Sequence, residues 1–288
     1  MDINAFKVFL TVATTGSVTK AAERLNYVQS NVTARIQQLE KELGKPLFYR
    51  HHKKLTLTPA GHELLPYANR LLRDFNEAME VIVESSVPRG ILSIGTVDSA
   101  AAVRLPRILA KYHKQYPQVE LNIFTAPTEK LVDSVLQYKI EGAFVDGPIE
   151  HVDIIEHFAF EEQLLLVTPP TNHPLKLESF LNEPLLTAFV RCIYVGRFQQ
   201  WLRDEGYKPM KVMEFGTIDG ILGCVENGLG VAILPKSMVN LWIQQGRFSY
   251  YPLPDPYGVV PTVFISRRDS YNTKALRQFM GLVDIVLT

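Results

Sequence analysis

Between Gln29 and Gln38 the chain sets Gln29, Ser30, Asn31, Thr33, Ala34, Arg35 and Gln38 on the side of a helical repeat opposite Val32, Ile36, Leu39 and Leu43. These are amides, hydroxyls, one methyl and one guanidinium. A Gln or Asn amide can bond adenine through two atoms, an Arg can bond guanine, and short side chains let a helix sink into the major groove. A plainly solvated helix shows Glu/Lys pairs at four-residue spacing instead. This one keeps Glu40, Lys41 and Glu42 for its far end. A little further on, Arg50, His51, His52, Lys53 and Lys54 form a cationic cluster suited to flanking phosphates or the minor groove. The paired histidines have no third ligand at metal spacing, so no metal is expected.

A second group of polar residues follows strand-like runs. Ser99 comes after ILSIGT, Thr128 stands ahead of EKLVDSVL, and Thr217 ahead of IDGILGCV. Each is first a helix N-cap candidate. Several such helix starts around one cleft would also make a receptor for a small anion or polar metabolite, because their free N–H groups favour negative charge. Catalytic constellations are missing from the sequence: it has no GxSxG elbow and no GxxxxGK loop, and its seven histidines are scattered. Gly228-Leu229-Gly230 begins like a dinucleotide fingerprint, but Ile233 replaces the third glycine and a strand follows, so a tight turn is the better reading. The two cysteines, Cys192 and Cys224, lack CxxC spacing and read as ordinary buried thiols.

The elements that position these groups follow from periodicity. Ile3, Phe6, Phe9, Leu10 and Ala13 repeat at helical spacing up to Gly16, and Ser17 then caps a short helix carrying Ala21, Ala22 and Leu25. After a brief turn near Asn26 the polar-faced helix runs to Gly44, its expected C-cap. Leu55 and Leu57 alternate with Thr56 and Thr58 as in a strand, making a two-stranded wing. From Thr58 and Pro59 one long helix carries Leu64, Leu65, Ala68, Leu71, Leu72, Phe75, Ala78, Met79 and Ile82. No other helix of the head remains to cover that stripe, so a coiled-coil partner in a second copy is expected, with docking onto the same chain's body as the alternative. A hinge follows at SSVPRG. Beyond it ILSIGT, Leu105 to Tyr116, VELNIF, Lys130 to Tyr138 and GAFV alternate as βαβαβ, with further strands near residues 165 and 265.

The chain has 288 residues, 47% hydrophobic and 21% charged, which suits two globular domains and excludes wholesale disorder. Its net charge is zero, yet residues 1 to 60 carry nine basic and four acidic side chains, a head of plus five on a body of minus five. Asp2 stands where a secretory signal would be positive, Lys7 and Thr11 interrupt the first apolar run, and no segment approaches the ~18 apolar residues of a membrane span. A soluble cytoplasmic protein is expected.

The segments GSVTKAAERLNYVQSNVTARIQQLEKELGKPLFYR, LTLTPAG and GLGVAILP closely resemble the LysR-type transcriptional regulators, and within them a Bacillus-type subgroup sharing NYVQSNVTARI and FYRH. The resemblance implies an α/β chain with a winged helix-turn-helix at 1–58, a linker helix and hinge at 59–88, and an effector domain at 89–288. That domain would be two-lobed like the type 2 periplasmic binding proteins, with lobe I at about 89–162 and 267–288 and lobe II at about 163–266. The strands near 165 and 265 would cross between the lobes. Base-reading positions fall on Gln29, Ser30, Thr33 and Ala34, a wing contact on Lys53, and phosphate contacts on Thr19, Arg35 and Thr58. Ser17, Lys20, Asn31, Gln38, Arg50 and Lys54 complete the expected DNA face. Many members carry Arg at the position of Ala34, so the basic group here is displaced by one residue, about 100° of helix rotation. Effector contacts fall on Ser99 and Thr128, with Ala100, Arg191, Cys192, Tyr194 and Thr217 beside them. The family's Gly-Cys-x-Tyr-Arg reads Arg191-Cys192-Ile193-Tyr194-Val195 here. With the motif Arg replaced by Val195, the cleft must use helix N-termini with Ser99 and Thr128, recruit Arg191, or accept a less charged ligand. A small anion is the favoured expectation. The implied partners are promoter DNA and a second copy joined through the linker helix, giving dimers and tetramers. RNA polymerase is added if the protein activates. Neither cofactor nor membrane is implied. Alternatives of other classes are a solute-binding receptor and a cytoplasmic α/β enzyme.

Overall fold

The computed structural model describes residues 2–51, 54–82, 87–171, 173, 176–189, 192–270 and 272–287. In the head, α1 (Ile3–Thr15) begins at Asp2, whose carboxylate accepts from the Asn4 amide, and ends at Gly16 in the left-handed region. Ser17 caps α2 (Val18–Leu25), and Asn26 closes it with a left-handed backbone. Then come α3 (Gln29–Leu43), closed by Gly44, the antiparallel wing strands β1 (Phe48–His51) and β2 (Lys54–Leu57), and α4 (Pro59–Ile82). Phe6, Phe9, Val12, Ala21, Val32, Ile36, Leu39 and Leu47 make one core, with the Phe9 and Phe48 rings 5.5 Å apart. Leu43, expected on the buried face of α3, is exposed, because the last helical turn runs past this core.

The stripe of α4 divides. Its start packs on the head: Ala68 is fully buried, and Ala60, Leu64 and Leu65 lie against the same core. So the expectation that nothing in the head covers the stripe holds only beyond that point, where Leu71, Phe75 and Met79 are exposed. Pro66 sits inside this helix and cannot donate to the His62 carbonyl. The polar side of α4 meets the body: Asn69 donates to the Gln137 carbonyl at 3.2 Å, and the Arg73 guanidinium lies 4.2 Å from the centre of the Tyr138 ring.

In the body, β3 (Gly90–Thr96), α5 (Leu105–Gln115), β4 (Val119–Thr125), α6 (Thr128–Leu136) and β5 (Gly142–Asp146) realise the expected βαβαβ order, with β3 parallel to both β4 and β5. A single turn of π-helix, Ala100–Arg104, precedes α5 and was not foreseen. The fifteen-residue β6 (Ile154–Thr168) then passes from one lobe to the other. After it come β7 (Leu185–Thr187), α7 (Ile193–Asp204), β8 (Val212–Glu214), α8 (Ile218–Glu226), β9 (Val231–Pro235), α9 (Lys236–Gln244), β10 (Ser249–Pro252), β11 (Val259–Arg267) and α10 (Lys274–Leu287). The strands lie in the order β4-β3-β5-β11-β6-β9-β7-β8, with β10 also on β6. Through Gln163, β6 pairs with β11; from Leu164 it pairs with β9 in lobe II. Each lobe has its own core, one around Phe144, Phe264 and Phe279, the other around Phe198 and Trp201 and a neighbouring cluster around Leu165 and Val225.

One boundary moves. The segment near residue 265 was expected to cross between lobes, with lobe I resuming at 267. It does cross, but earlier: Val260 packs in the lobe II core, whereas residues 262–266 pair with β5 and Val263, Phe264 and Ile265 lie in the lobe I core, so lobe I resumes at about Thr262. Pairing partners, which periodicity does not reveal, decide this. Among the described residues no helix is long and apolar enough to cross a membrane.

Candidate nucleic-acid interface and inter-lobe cleft

The first site is built on α3. Its packing residues, Val32, Ile36 and Leu39, point into the head core, which turns Gln29, Ser30, Ala34 and Gln38 fully outward, with Asn31, Thr33 and Arg35 half-exposed beside them. Thr19 and Lys20 on α2 are exposed near by. The Ser17 hydroxyl accepts from the Lys20 amide as the cap of α2. At the start of α3 stands Val28, 68% exposed, and no side chain caps this helix. Its first N–H groups therefore face outward unsatisfied by side chains, the end of the dipole that attracts phosphate.

Arg35 is partly engaged within the protein. Its Nη1 lies 2.9 Å from Asp2 Oδ2, and its Nε donates to Asn31 Oδ1 at 3.0 Å. The backbone N–H of Asn4, then the Arg35 guanidinium, hold the Asp2 carboxyl below its ordinary range. Thr58 occupies a different place from the phosphate contact implied for it. It is 4% exposed, its hydroxyl donates to the Pro46 carbonyl at 2.7 Å, and it accepts from the Gly61 amide at 3.1 Å. Both capacities of that hydroxyl serve the junction between wing and α4. Arg50 and Lys54 lie on the paired wing strands; Lys53 lies outside the described residues.

The second site is a cleft of about 610 Å³ between the lobes. Ser99, Thr128, Cys192 and Tyr194 line it, as expected. Ala100 is fully buried behind them. Thr217 caps α8 through the Gly220 amide and is not among the lining residues, although the adjacent Ile218 is. Arg191 lies outside the described residues. Ser99 and Thr128 do not act as caps. The Thr128 hydroxyl accepts from the Asp146 amide at 3.3 Å, and Ser99 meets Tyr194 of the other lobe at 3.1 Å.

Asp146, the last residue of β5, joins these residues although no sequence motif marks it. It is 9% exposed and lines the cleft. The Tyr194 hydroxyl donates to its Oδ1 at 3.0 Å, so Ser99 is the donor in the bond to Tyr194. A directed chain, Ser99 to Tyr194 to Asp146, thus ties the lobes across the cleft. Burial, reinforced by the nearby Glu162 carboxylate, pushes the Asp146 carboxyl up to about 6, against the pull of the Tyr194 hydrogen bond. The rule that ligands gather beyond strand ends would have found it, since GAFVD ends there just as ILSIGT ends before Ser99. Burial likewise raises the Cys192 thiol to about 11, which leaves it protonated and unreactive at neutral pH. Both cysteines are free and half-exposed rather than fully buried.

Comparison with known proteins covers both the head and the body. The model of the bacterial regulatory helix-turn-helix protein, lysR family, matches residues 3–62, and that of the LysR substrate binding domain matches residues 85–286. The chain is 43% identical over 284 residues to the HTH-type transcriptional regulator CzcR of Bacillus cereus, covering 99% of this chain and 97% of that protein. It is 43% identical over 282 residues to the HTH-type transcriptional regulator GltR of Bacillus subtilis, covering 97% and 95%. A solved structure of full-length OxyR from Pseudomonas aeruginosa shares the fold, with a TM-score of 0.78 at 21% identity over 99% of this chain and 94% of that one. A winged head whose polar helix faces outward, joined to a two-lobed body matched along nearly its whole length, places this protein: it belongs to the LysR family of DNA-binding transcriptional regulators and is not an enzyme.

Proposed function

We propose that two copies meet through the exposed part of α4, set two α3 helices into successive major grooves of an operator, and pair again as tetramers on longer sites. Gln29, Ser30, Thr33, Ala34 and Gln38 would read base edges. Thr19, Lys20, Arg35 and the wing residues Arg50, Lys53 and Lys54 would grip phosphates. A small molecule bound between the lobes changes how the body holds α4 and so the spacing of the heads. The protein works in the cytoplasm and, at promoters it activates, contacts RNA polymerase. The observation that supports this best is the outward polar face of α3, free of Glu/Lys pairs along its first three turns and carried on a basic head.

The test is a footprint of the full-length protein on the region upstream of its own gene, with competition by random DNA. Gln29→Ala is expected to relax preference at one base pair by ~1–3 kcal/mol. Lys53→Ala is expected to weaken all sequences alike and flatten the salt slope by about one. Indistinguishable behaviour of the two variants would overturn the assignment of α3 as the reading helix.

A further inference from the structure

The inter-lobe cleft carries the wrong charge for a simple anion. Asp98, Glu129, Asp146 and Glu214 line it, and Lys130 is the one cation among the described lining residues. Glu129, Lys130 and Glu214 are exposed at the rim, where water screens them. Asp146 differs, being buried at the inner end of β5 with one carboxylate oxygen held by Tyr194. Among the described residues Tyr194 is the one hydrogen-bond donor to its side chain, and no cation is among the groups that shift it. A buried carboxylate half satisfied by the protein, opening into a cavity, is a receptor for a positive hydrogen-bond donor. Phe189, Ile218 and Met238 on the lobe II side offer an apolar surface to the rest of such a ligand.

We propose that the effector carries a protonated nitrogen that seats on the Asp146 carboxylate, making it a small organic amine or an amino acid rather than an anion without nitrogen. This rests on the reading that the effector binds between the lobes. The seated ammonium completes the hydrogen bonding of Asp146 and sits at the end of the Ser99–Tyr194–Asp146 chain, so its arrival bears directly on the contact that joins the lobes. An added carboxylate, as in an amino acid, would have Thr128 at the start of α6 within the same cleft. The titratable groups that act on Asp146 are Tyr194 in the first turn of α7 and Glu162 of β6, with Cys192, the N-cap of α7, and Asp98 lining the same cleft. None of these is a cation.

The experiment is isothermal titration of the full-length protein with a panel of primary amines, α-amino acids and nitrogen-free carboxylic acids of matched carbon skeleton. It is repeated with Asp146→Asn, Thr128→Val and Arg191→Ala. The expected result is that every binder carries an ammonium and that Asp146→Asn weakens it at least tenfold. Should Asp146→Asn fail to fold, the wild-type pH profile serves: with the carboxyl at about 6, affinity should fall about tenfold from pH 7 to pH 5. Binding confined to nitrogen-free acids, amine binding indifferent to Asp146→Asn, a flat pH profile, or no binder at millimolar concentration overturns the proposal. Acids that depend on Thr128 or Arg191 would leave the cleft as the effector site and remove only the ammonium. Binders indifferent to all three variants would remove the cleft itself.

Discussion

Asp146 makes the free protein sensitive to pH in a direction opposite to most carboxylates. Its folded carboxyl titrates near 6, above its ordinary 3.8, because burial disfavours the charge. The native state therefore holds a proton that the unfolded chain releases between those two values. Stability from this group is fully present below pH 3.8 and is lost as pH rises through 6. The gap corresponds to about 3 kcal/mol as an upper bound. Asp146→Asn should accordingly raise the ligand-free melting temperature at pH 8 and raise it much less at pH 5. An equal effect at both values, by calorimetry, would show that the native carboxyl titrates normally. At the other end of the chain Val28 occupies an N-cap position with an extended backbone and no capping oxygen. Val28→Asp supplies that oxygen and a charge that suits the helix start, so the head should gain about 1 kcal/mol. The same charge faces the DNA backbone if α3 enters the groove, and operator affinity should drop at least tenfold at low salt. Denaturation and gel-shift titrations moving in the same direction would contradict that placement of α3.

At the scale of elements, the motif LTLTPAG acquires a reason in the joint between wing and α4. A Cβ on Gly61 would fall inside van der Waals contact with the Leu47 carbonyl and 2.8 Å from a methyl carbon of Leu57. Backbone cannot yield as a flexible side chain does, so Gly61→Ala should cost about 2 kcal/mol or more in head stability. Urea denaturation of the variant measures it; a loss below about 0.5 kcal/mol would mean that helix and wing separate freely. Gly230 is alike, its Cβ running into the Pro184 carbonyl where β9 passes beside the start of β7. The head was legible because its signals are local: Ser17 and Gly44 cap the helices their neighbours predict, and the α3 core residues recur at three and four. The α4 stripe was legible as apolar but not as divided. Leu64 and Ala68 look the same in sequence whether their own head or another copy covers them. Asp146 escaped for a related reason, since a carboxylate closing an apolar strand looks like the first residue of a turn until the facing lobe supplies Tyr194.

At the scale of the whole molecule, long-range contacts connect the two sites, and no sequence pattern marks them. Helix α6 starts with Thr128 in the cleft; just past its end, Tyr138 lies between the guanidinium groups of Arg73 on α4 and Arg267 on β11, each 4.2 Å from the ring centre. Tyr138 also donates to Asp269 at 2.6 Å. At the crossing between lobes the buried Glu162 accepts from Ser237 of α9 at 2.7 Å and meets Arg104 of the π-helical turn at 3.4 Å. One helix of lobe I thus leads from the inter-lobe cleft to the element that carries the head, and the two lobes are latched at the strand that joins them. Such a path can alter DNA binding only if the far part of α4 is fixed against something, and its exposed Phe75 and Met79, 46% and 48% accessible, mark where a second copy would hold it. Replacing both with Asp places charges in that seam while leaving Ala68 and the head core untouched. The variant should sediment as a monomer and lose at least a hundredfold in operator affinity, since two linked heads bind far more tightly than one. Its head should still melt as in the parent. A monomer with parental operator affinity would show that the seam lies elsewhere and that one head suffices.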